Sequence, residues 1–266
     1  MSRIQQKFQT LKKRGEKALI IYLTAGDPSL KKNEELIYAF EKDGVDLVEL
    51  GVPFSDPLAD GAVIQEASER SLKKKTTLKK ILQLVRNVRK KSQIPILLMS
   101  YLNPVLQFGL ARFADEAKKS GVDGLIVPDL PPEEGKEVSA VMKRKKIDLV
   151  YLLAPTSGEK RRRQVTAASR GFVYYVSLTG VTGAAKSISS TVHQNISLAK
   201  KATPLPVCVG FGVSSPAQAK AMSKSADGVI VGSAIVKSLA QNKALNASQF
   251  SSKFVRPFAR ALGKGF

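Results

Sequence analysis

The chain lacks most of what metal, disulfide or membrane chemistry requires. Its 266 residues hold one cysteine, Cys208, one histidine, His193, and no tryptophan. A lone cysteine excludes an internal disulfide framework and suits a reducing compartment. Cys208 sits in the apolar run Val207-Cys208-Val209 and reads as a small buried hydrophobe. With no Cys/His cluster, no transition-metal site is indicated. His193 lies among polar residues at the start of a predicted helix and reads as a surface residue.

No apolar run approaches the roughly 18 residues of a membrane helix. The basic start is followed by a short apolar stretch broken by Thr24 and Gly26, a poor signal peptide. A cytoplasmic chain with no membrane contact is therefore expected. Ile4, Phe8 and Leu11 recur at helical spacing, which predicts an extra N-terminal helix packed on the domain; a transit peptide is the alternative. Neither GxxxxGK[ST] nor a strand-linked GxGxxG occurs, so no nucleotide cofactor is indicated.

Acidic residues are scarce, 22 against 43 Lys and Arg, for a net charge of +21. Such a balance can serve nucleic-acid binding. The basic clusters at 73–75, 143–146 and 160–163, however, fall within or beside predicted amphipathic helices. No zinc-finger spacing or RNP-like aromatic strand accompanies them. They read as solvated surface, with no nucleic-acid partner expected, although the field favours an anionic substrate.

What is present is alternation. Short runs rich in Val, Ile, Leu and Tyr occur at 18–23, 47–50, 96–99, 124–127, 149–153, 172–176, 207–209 and 228–231. Their composition suits strands buried on both faces. Longer helical stretches lie between them, among them 30–42, 77–90, 110–119, 133–145 and 216–223. Strand–helix alternation implies parallel pairing through right-handed crossovers. Eight such units fit an α/β single (β/α)8 TIM barrel over residues 1–266 as one domain; a doubly wound open sheet is the alternative. An internal echo supports repeated units: Gly44-Val45-Asp46, Gly121-Val122-Asp123 and Ser225-Ala226-Asp227 each precede a strand. In the first two, glycine can end the helix in a left-handed conformation.

Barrel active sites lie at the C-terminal ends of the strands. Glu49 ends an apolar strand, on the same face as Leu47 by alternation. If that face points inward, burial raises the carboxyl pKa and keeps it protonated, making a general acid; otherwise Glu49 is a surface or salt-bridged residue. The Pro- and Gly-rich loop that follows carries Asp56 and Asp60, so Glu49 and Asp60 can share a pocket. Three glycine-bearing segments, Thr179-Gly180-Val181-Thr182-Gly183, Gly210-Phe211-Gly212 and Gly232-Ser233, follow the last three strands. Loops of this kind with a helix N-terminus form the usual barrel phosphate site. No lysine lies in a candidate strand, which weakens a Schiff-base reading. Acid–base chemistry by carboxylates on a phosphorylated small molecule remains.

The segment from Glu49-Leu50-Gly51-Val52-Pro53-Phe54-Ser55-Asp56-Pro57-Leu58-Ala59-Asp60 to Gly61 closely resembles the signature of tryptophan synthase alpha chains. Further matches run in family order: Tyr22-Leu23-Thr24-Ala25-Gly26-Asp27-Pro28, Val127-Pro128-Asp129-Leu130-Pro131, Gly180-Val181-Thr182-Gly183, Gly210-Phe211-Gly212 and Val231-Gly232-Ser233-Ala234. The resemblance implies a lyase of tryptophan biosynthesis that splits indole-3-glycerol phosphate into indole and glyceraldehyde 3-phosphate. It implies Glu49 as general acid–base and Asp60 as the carboxylate holding the indole N–H. It places Tyr22, Tyr101 and Phe211 around the indole, Tyr174 near Glu49, and Thr182, Gly183, Gly212, Gly232 and Ser233 at the phosphate.

The resemblance further implies a beta-subunit partner in an α2β2 complex, with indole channelled to it and allosteric loops between them. Pyridoxal phosphate belongs to that partner, with no cofactor in this chain and no metal. Three departures bear on lid closure and signalling. Ala62 stands where the family commonly has proline, Leu178 where some members have arginine, and an acidic residue often found near Ala184–Ser187 is missing. Other readings stay open: another phosphate-binding barrel, a member releasing free indole without a partner, or a non-catalytic subunit that activates the beta chain.

Overall fold

The computed structural model describes residues 1–177 and 190–265. In chain order the elements begin α1 (Arg3–Arg14), β1 (Ala18–Thr24), α2 (Leu30–Lys42), β2 (Leu47–Gly51), α3 (Ala62–Lys73), α4 (Leu78–Arg89) and β3 (Ile96–Met99). Next come α5 (Leu102–Phe108), α6 (Leu110–Ser120), β4 (Gly124–Ile126), α7 (Lys136–Arg144), β5 (Asp148–Val150), β6 (Leu152–Leu153), α8 (Glu159–Ala168) and β7 (Val173–Val176). The last are α9 (Ser190–Lys201), β8 (Val207–Gly210), α10 (Pro216–Ser223), β9 (Gly228–Val231), α11 (Ser233–Gln241), α12 (Ala247–Phe254) and α13 (Arg256–Ala261).

All pairings are parallel, in the order β5-β4-β3-β2-β1-β9-β8-β7-β6. The two end strands are one predicted strand, 149–153, interrupted at Tyr151. Its N–H turns to the Ser169 hydroxyl at 3.3 Å instead of joining the ladder. Its carbonyl accepts from the Tyr174 N–H at 3.2 Å, which carries the pairing across to β7. The sheet thus closes into the expected (β/α)8 barrel, not an open doubly wound sheet.

Two apolar clusters follow from strand alternation. One set, including Val48, Leu50, Leu98 and Val209, faces the helices. The other, including Ala18, Ile20, Leu47, Leu97, Ile126, Cys208 and Ile230, fills the barrel. Helix α1 closes the N-terminal end, as its spacing predicts: Ile4, Phe8 and Leu11 join the interior cluster, and Phe8 packs on Phe172 at 5.8 Å between ring centroids. Each such buried side chain contributes roughly 1.5–3 kcal/mol. A capping box between Ser2 and Gln5 starts this helix.

The repeated Val-Asp echo has a structural cause. Gly44 and Gly121 adopt left-handed φ of 85° and 86°. The aspartates that follow then cap the bottoms of neighbouring strands. Asp46 accepts from the Leu19 N–H at 2.8 Å, Asp123 from Ile96 at 2.9 Å, and Asp227 from Val207 at 3.0 Å. Each holds basic side chains too: Lys264 on Asp46, Arg3 and Arg89 on Asp123, Lys200 on Asp227. The clusters at 73–75, 143–146 and 160–163 lie at the ends of α3 and α7 and on α8, mostly exposed.

Candidate active site

At the C-terminal end of the barrel lies a cavity of about 310 Å³, lined by Tyr22, Glu49, Asp60, Gly61, Ala62, Val63, Ile64, Met99, Tyr174, Phe211, Gly212, Val213, Ile230, Gly232 and Ser233. Glu49 reaches it from β2, where it stands in register with Tyr22 of β1 and Leu97 of β3. Its carboxyl lies inside the barrel, on the face it shares with Leu47 of the interior cluster, which is the inward one of the two orientations that alternation leaves open. The residue is 1% exposed, and neither carboxyl oxygen has a hydrogen-bond partner among the described residues. Burial, with the charge of Asp60 adding to it, pushes the Glu49 pKa up to about 8. A carboxyl left without donors in an apolar wall holds its proton at neutral pH.

Asp60 comes from the loop 52–61 between β2 and α3. Burial raises its pKa, and a hydrogen bond from the Tyr101 hydroxyl opposes the rise. Since the Asp60 charge acts on Glu49, Asp60 loses its proton first. The pair therefore divides into a neutral acid and a neighbouring carboxylate, the arrangement that acid–base work on one substrate needs. Tyr101 also accepts the Ala59 N–H at 2.8 Å and packs on Phe54 at 5.5 Å. It lines a small recess beside the cavity, together with Tyr22, Asp60 and Met99, which also line the cavity itself.

Tyr22 and Tyr174 cross the barrel mouth, both nearly buried. Burial raises both phenol pKa values, with the charge of Asp60 next in effect at Tyr22 and that of Glu49 at Tyr174. Both stay protonated. They lie against backbone where only glycine fits: a Cβ on Gly51 would meet the Tyr22 hydroxyl at 2.0 Å, and one on Gly210 the Tyr174 hydroxyl at 2.4 Å. Phe211 packs edge-on to Tyr174 at 5.8 Å.

Beside these rings the cavity lining includes two stretches of glycine-bearing backbone. Phe211 and Gly212 have positive φ of 66° and 82° in the turn after β8. Gly232 caps α11, and Ser233 is its first residue. The first N–H groups of a helix have no intrahelical acceptor and stand at the positive end of its dipole, which suits an anion. Thr182 and Gly183, the third part of the expected phosphate cradle, lie outside the described residues, as do Leu178 and residues 184–187.

Sequence reasoning missed Met99 and Ile230, although both share strand parity with the inward set. It also missed Ala62, Val63 and Ile64, which open α3. That helix is tied over β1 by Arg70, whose guanidinium bonds Asp27 at 2.8 and 3.1 Å. His193 is half-buried, with Nδ1 2.8 Å from the Ser225 hydroxyl, and does not line the cavity. Among the described residues, no group of three or more His, Cys, Asp or Glu is placed to hold a metal. No helix among them is long and apolar enough to cross a membrane.

The family model described as tryptophan synthase alpha chain matches residues 8–261. The tryptophan synthase alpha chain of Geobacter sulfurreducens is 50% identical over 263 residues, covering 99% of this chain and 100% of that one. That of Geotalea uraniireducens is 52% identical over 237 residues, 89% of each. The crystal structure of tryptophan synthase subunit alpha from Legionella pneumophila superposes with a TM-score of 0.91 at 36% identity, covering 99% of both chains. By these likenesses over nearly its whole length, the chain belongs to the tryptophan synthase alpha chain family.

Proposed function

We propose that Glu49 and Asp60 carry out the family's lyase reaction, the cleavage of indole-3-glycerol phosphate to indole and glyceraldehyde 3-phosphate. The observation that carries this reading is the Glu49 carboxyl, buried without a partner among the described residues on the cavity shared with Asp60. The neutral carboxyl donates its proton to the indole carbon that bears the side chain. Positive charge then develops at the ring nitrogen, where the Asp60 carboxylate accepts the N–H bond. The resulting Glu49 carboxylate takes the proton of the adjacent hydroxyl. The carbon–carbon bond breaks, its electron pair returns to the ring, and an aldehyde is left on the glycerol phosphate fragment. Glu49 ends protonated as it began, its own proton left on the ring carbon and the hydroxyl proton in its place, so one group serves as acid and base.

Tyr22, Tyr174 and Phe211 hold the indole, with Met99 and Ile230 completing an apolar wall. Gly212, Gly232 and Ser233, with Thr182 and Gly183, take the phosphate. Residues 1–266 act as one domain, and the chain works in the cytoplasm.

The structure of the tryptophan synthase a2b2 complex from Pyrococcus furiosus contains a chain that superposes with a TM-score of 0.85 at 39% identity, covering 91% of this chain and 98% of that one. By this likeness the partner is a beta subunit in an α2β2 heterotetramer, receiving channelled indole and exchanging allosteric signals through the loops near the cavity. Pyridoxal phosphate is assigned to that partner.

The test is indole release from indole-3-glycerol phosphate by the purified chain, with and without a beta subunit. Slow release that accelerates in the complex is expected. Fast release alone would indicate a free-indole producer, and no release from folded protein in either state would overturn the assignment.

A further inference from the structure

Ser177 follows β7 directly and is 1% exposed. Its backbone N–H donates to the Gly210 carbonyl at 2.9 Å. Its hydroxyl lies 3.0 Å from that same carbonyl and 2.6 Å from the carbonyl of Phe211. A serine hydroxyl has one proton to give. Gly210 already has the backbone donor, so the shorter contact, to Phe211, takes it.

Phe211 has a φ of 66°, a left-handed conformation that a bulky residue keeps only when its surroundings impose it. In a trans peptide the C=O and N–H point in opposite directions. A Phe211 carbonyl held by Ser177 therefore turns the next N–H, that of Gly212, to the other side, and Gly212 lines the cavity. A half-turn of this one peptide would replace the donor with the negative end of a carbonyl, which repels an anion.

We infer that Ser177 is a positioning residue: by holding the Phe211 carbonyl it orients the Phe211–Gly212 peptide so that an N–H faces the substrate phosphate. This rests on the phosphate reading given above. Ser177 touches no reacting atom, so its effect falls on recognition of the phosphate and not on the proton transfers.

The experiment is calorimetric titration of the full chain with two probes, glycerol 3-phosphate and indole, for the wild type, Ser177→Ala and Ser177→Thr. Ser177→Ala should weaken glycerol 3-phosphate about tenfold, the worth of one hydrogen bond to a charged ligand, and leave indole unchanged. KM for indole-3-glycerol phosphate should rise more than kcat falls. Threonine, which keeps the hydroxyl, should restore phosphate affinity. Should Ser177→Ala not fold, Ser177→Cys carries the same comparison with a weaker donor of similar shape. Equal affinity in wild type and variant, or equal loss for both probes, overturns the proposal. A wild-type chain that binds indole but no glycerol 3-phosphate overturns the phosphate reading itself, and this inference with it.

Discussion

The Tyr101 hydroxyl accepts the Ala59 N–H at 2.8 Å, one residue before the Asp60 carboxyl to which it donates. One phenol thus fastens the loop and stabilises the carboxylate that the loop delivers. Tyr101→Phe removes both contacts and keeps the packing on Phe54. Asp60 then lies more loosely and its pKa rises further. We expect kcat/KM to fall by about tenfold or more, measured as indole release at neutral pH. An unchanged value would mean that the loop holds Asp60 without Tyr101.

The reaction should depend on pH with two limbs. Glu49 must begin protonated, and its pKa is pushed up to about 8, so kcat/KM should fall as pH rises through that value. Asp60 must be ionised, and its pKa is raised by burial, so activity should also fall on the acid side. The profile of kcat/KM reports these groups in the free enzyme. Constant activity from pH 7 to well above 9 would remove Glu49 as the acid.

Glu49→Gln should abolish indole release and stabilise the protein at alkaline pH. The sign follows from linkage. In the unfolded chain Glu49 ionises near its ordinary pKa of 4.5, whereas the folded chain keeps the proton to about 8. The folded state binds more protons in that window, so its stability falls as pH rises, by up to roughly 1.4 kcal/mol per pH unit. Glutamine has no proton to lose. The advantage of the variant should be absent below about pH 4.5, grow to about pH 8 and then level off. Urea denaturation across pH measures it, and a pH-independent difference would show that Glu49 is not buried as a neutral acid.

How far the site was legible in the sequence depended on range. Strands buried on both faces announce themselves as apolar runs, and strand parity puts Glu49 on one face with Leu47. With Val48 and Leu50 equally apolar on the other face, only the closed barrel shows which face points inward. The break at Tyr151 had no local signal. That residue is as strand-like as those around it, and what takes its N–H is the Ser169 hydroxyl, 18 residues onward. Helix α3 had none either: Gly61 at its N-cap offers no side-chain hydrogen bond, and its anchor is the distant pair Arg70–Asp27. The echo before the strands showed the glycine turns. The aspartates' grip on neighbouring N–H groups appears only once the strands are side by side.

Gly51 carries a second kind of constraint, one of space. A Cβ there would lie 2.0 Å from the Tyr22 hydroxyl and 2.5 Å from Cζ, so even Gly51→Ala drives the tyrosine out of its place. Overpacking of a filled interior costs about 1–3 kcal/mol. The displaced ring enters the cavity that Glu49 shares. We expect both a lower urea midpoint and a loss of kcat/KM at least as large as for Tyr22→Phe. A fully active, fully stable Gly51→Ala would show that Tyr22 has room to move.

At the other end of the barrel the same kind of substitution should separate stability from chemistry. Asp123 accepts the Ile96 N–H at 2.9 Å, Arg89 at 2.7 Å and Arg3 at 3.0 Å. Arg89 is largely buried, its side chain 10% exposed, and its other bonds go to the neutral carbonyls of Gly121, Ser92 and Ile94. Asp123→Ala leaves that guanidinium without its counter-charge and the Ile96 N–H without its side-chain acceptor. Breaking a buried pair from one side costs about 3–5 kcal/mol. The N-terminal face of a barrel supports the fold, whereas the C-terminal face carries the reaction. The variant should therefore unfold at markedly lower urea, yet at low temperature the folded fraction should keep the wild-type kcat. A fall in kcat of folded protein would show that the bottom of β3 is coupled to the mouth, through Leu97 to Glu49 beside it in register.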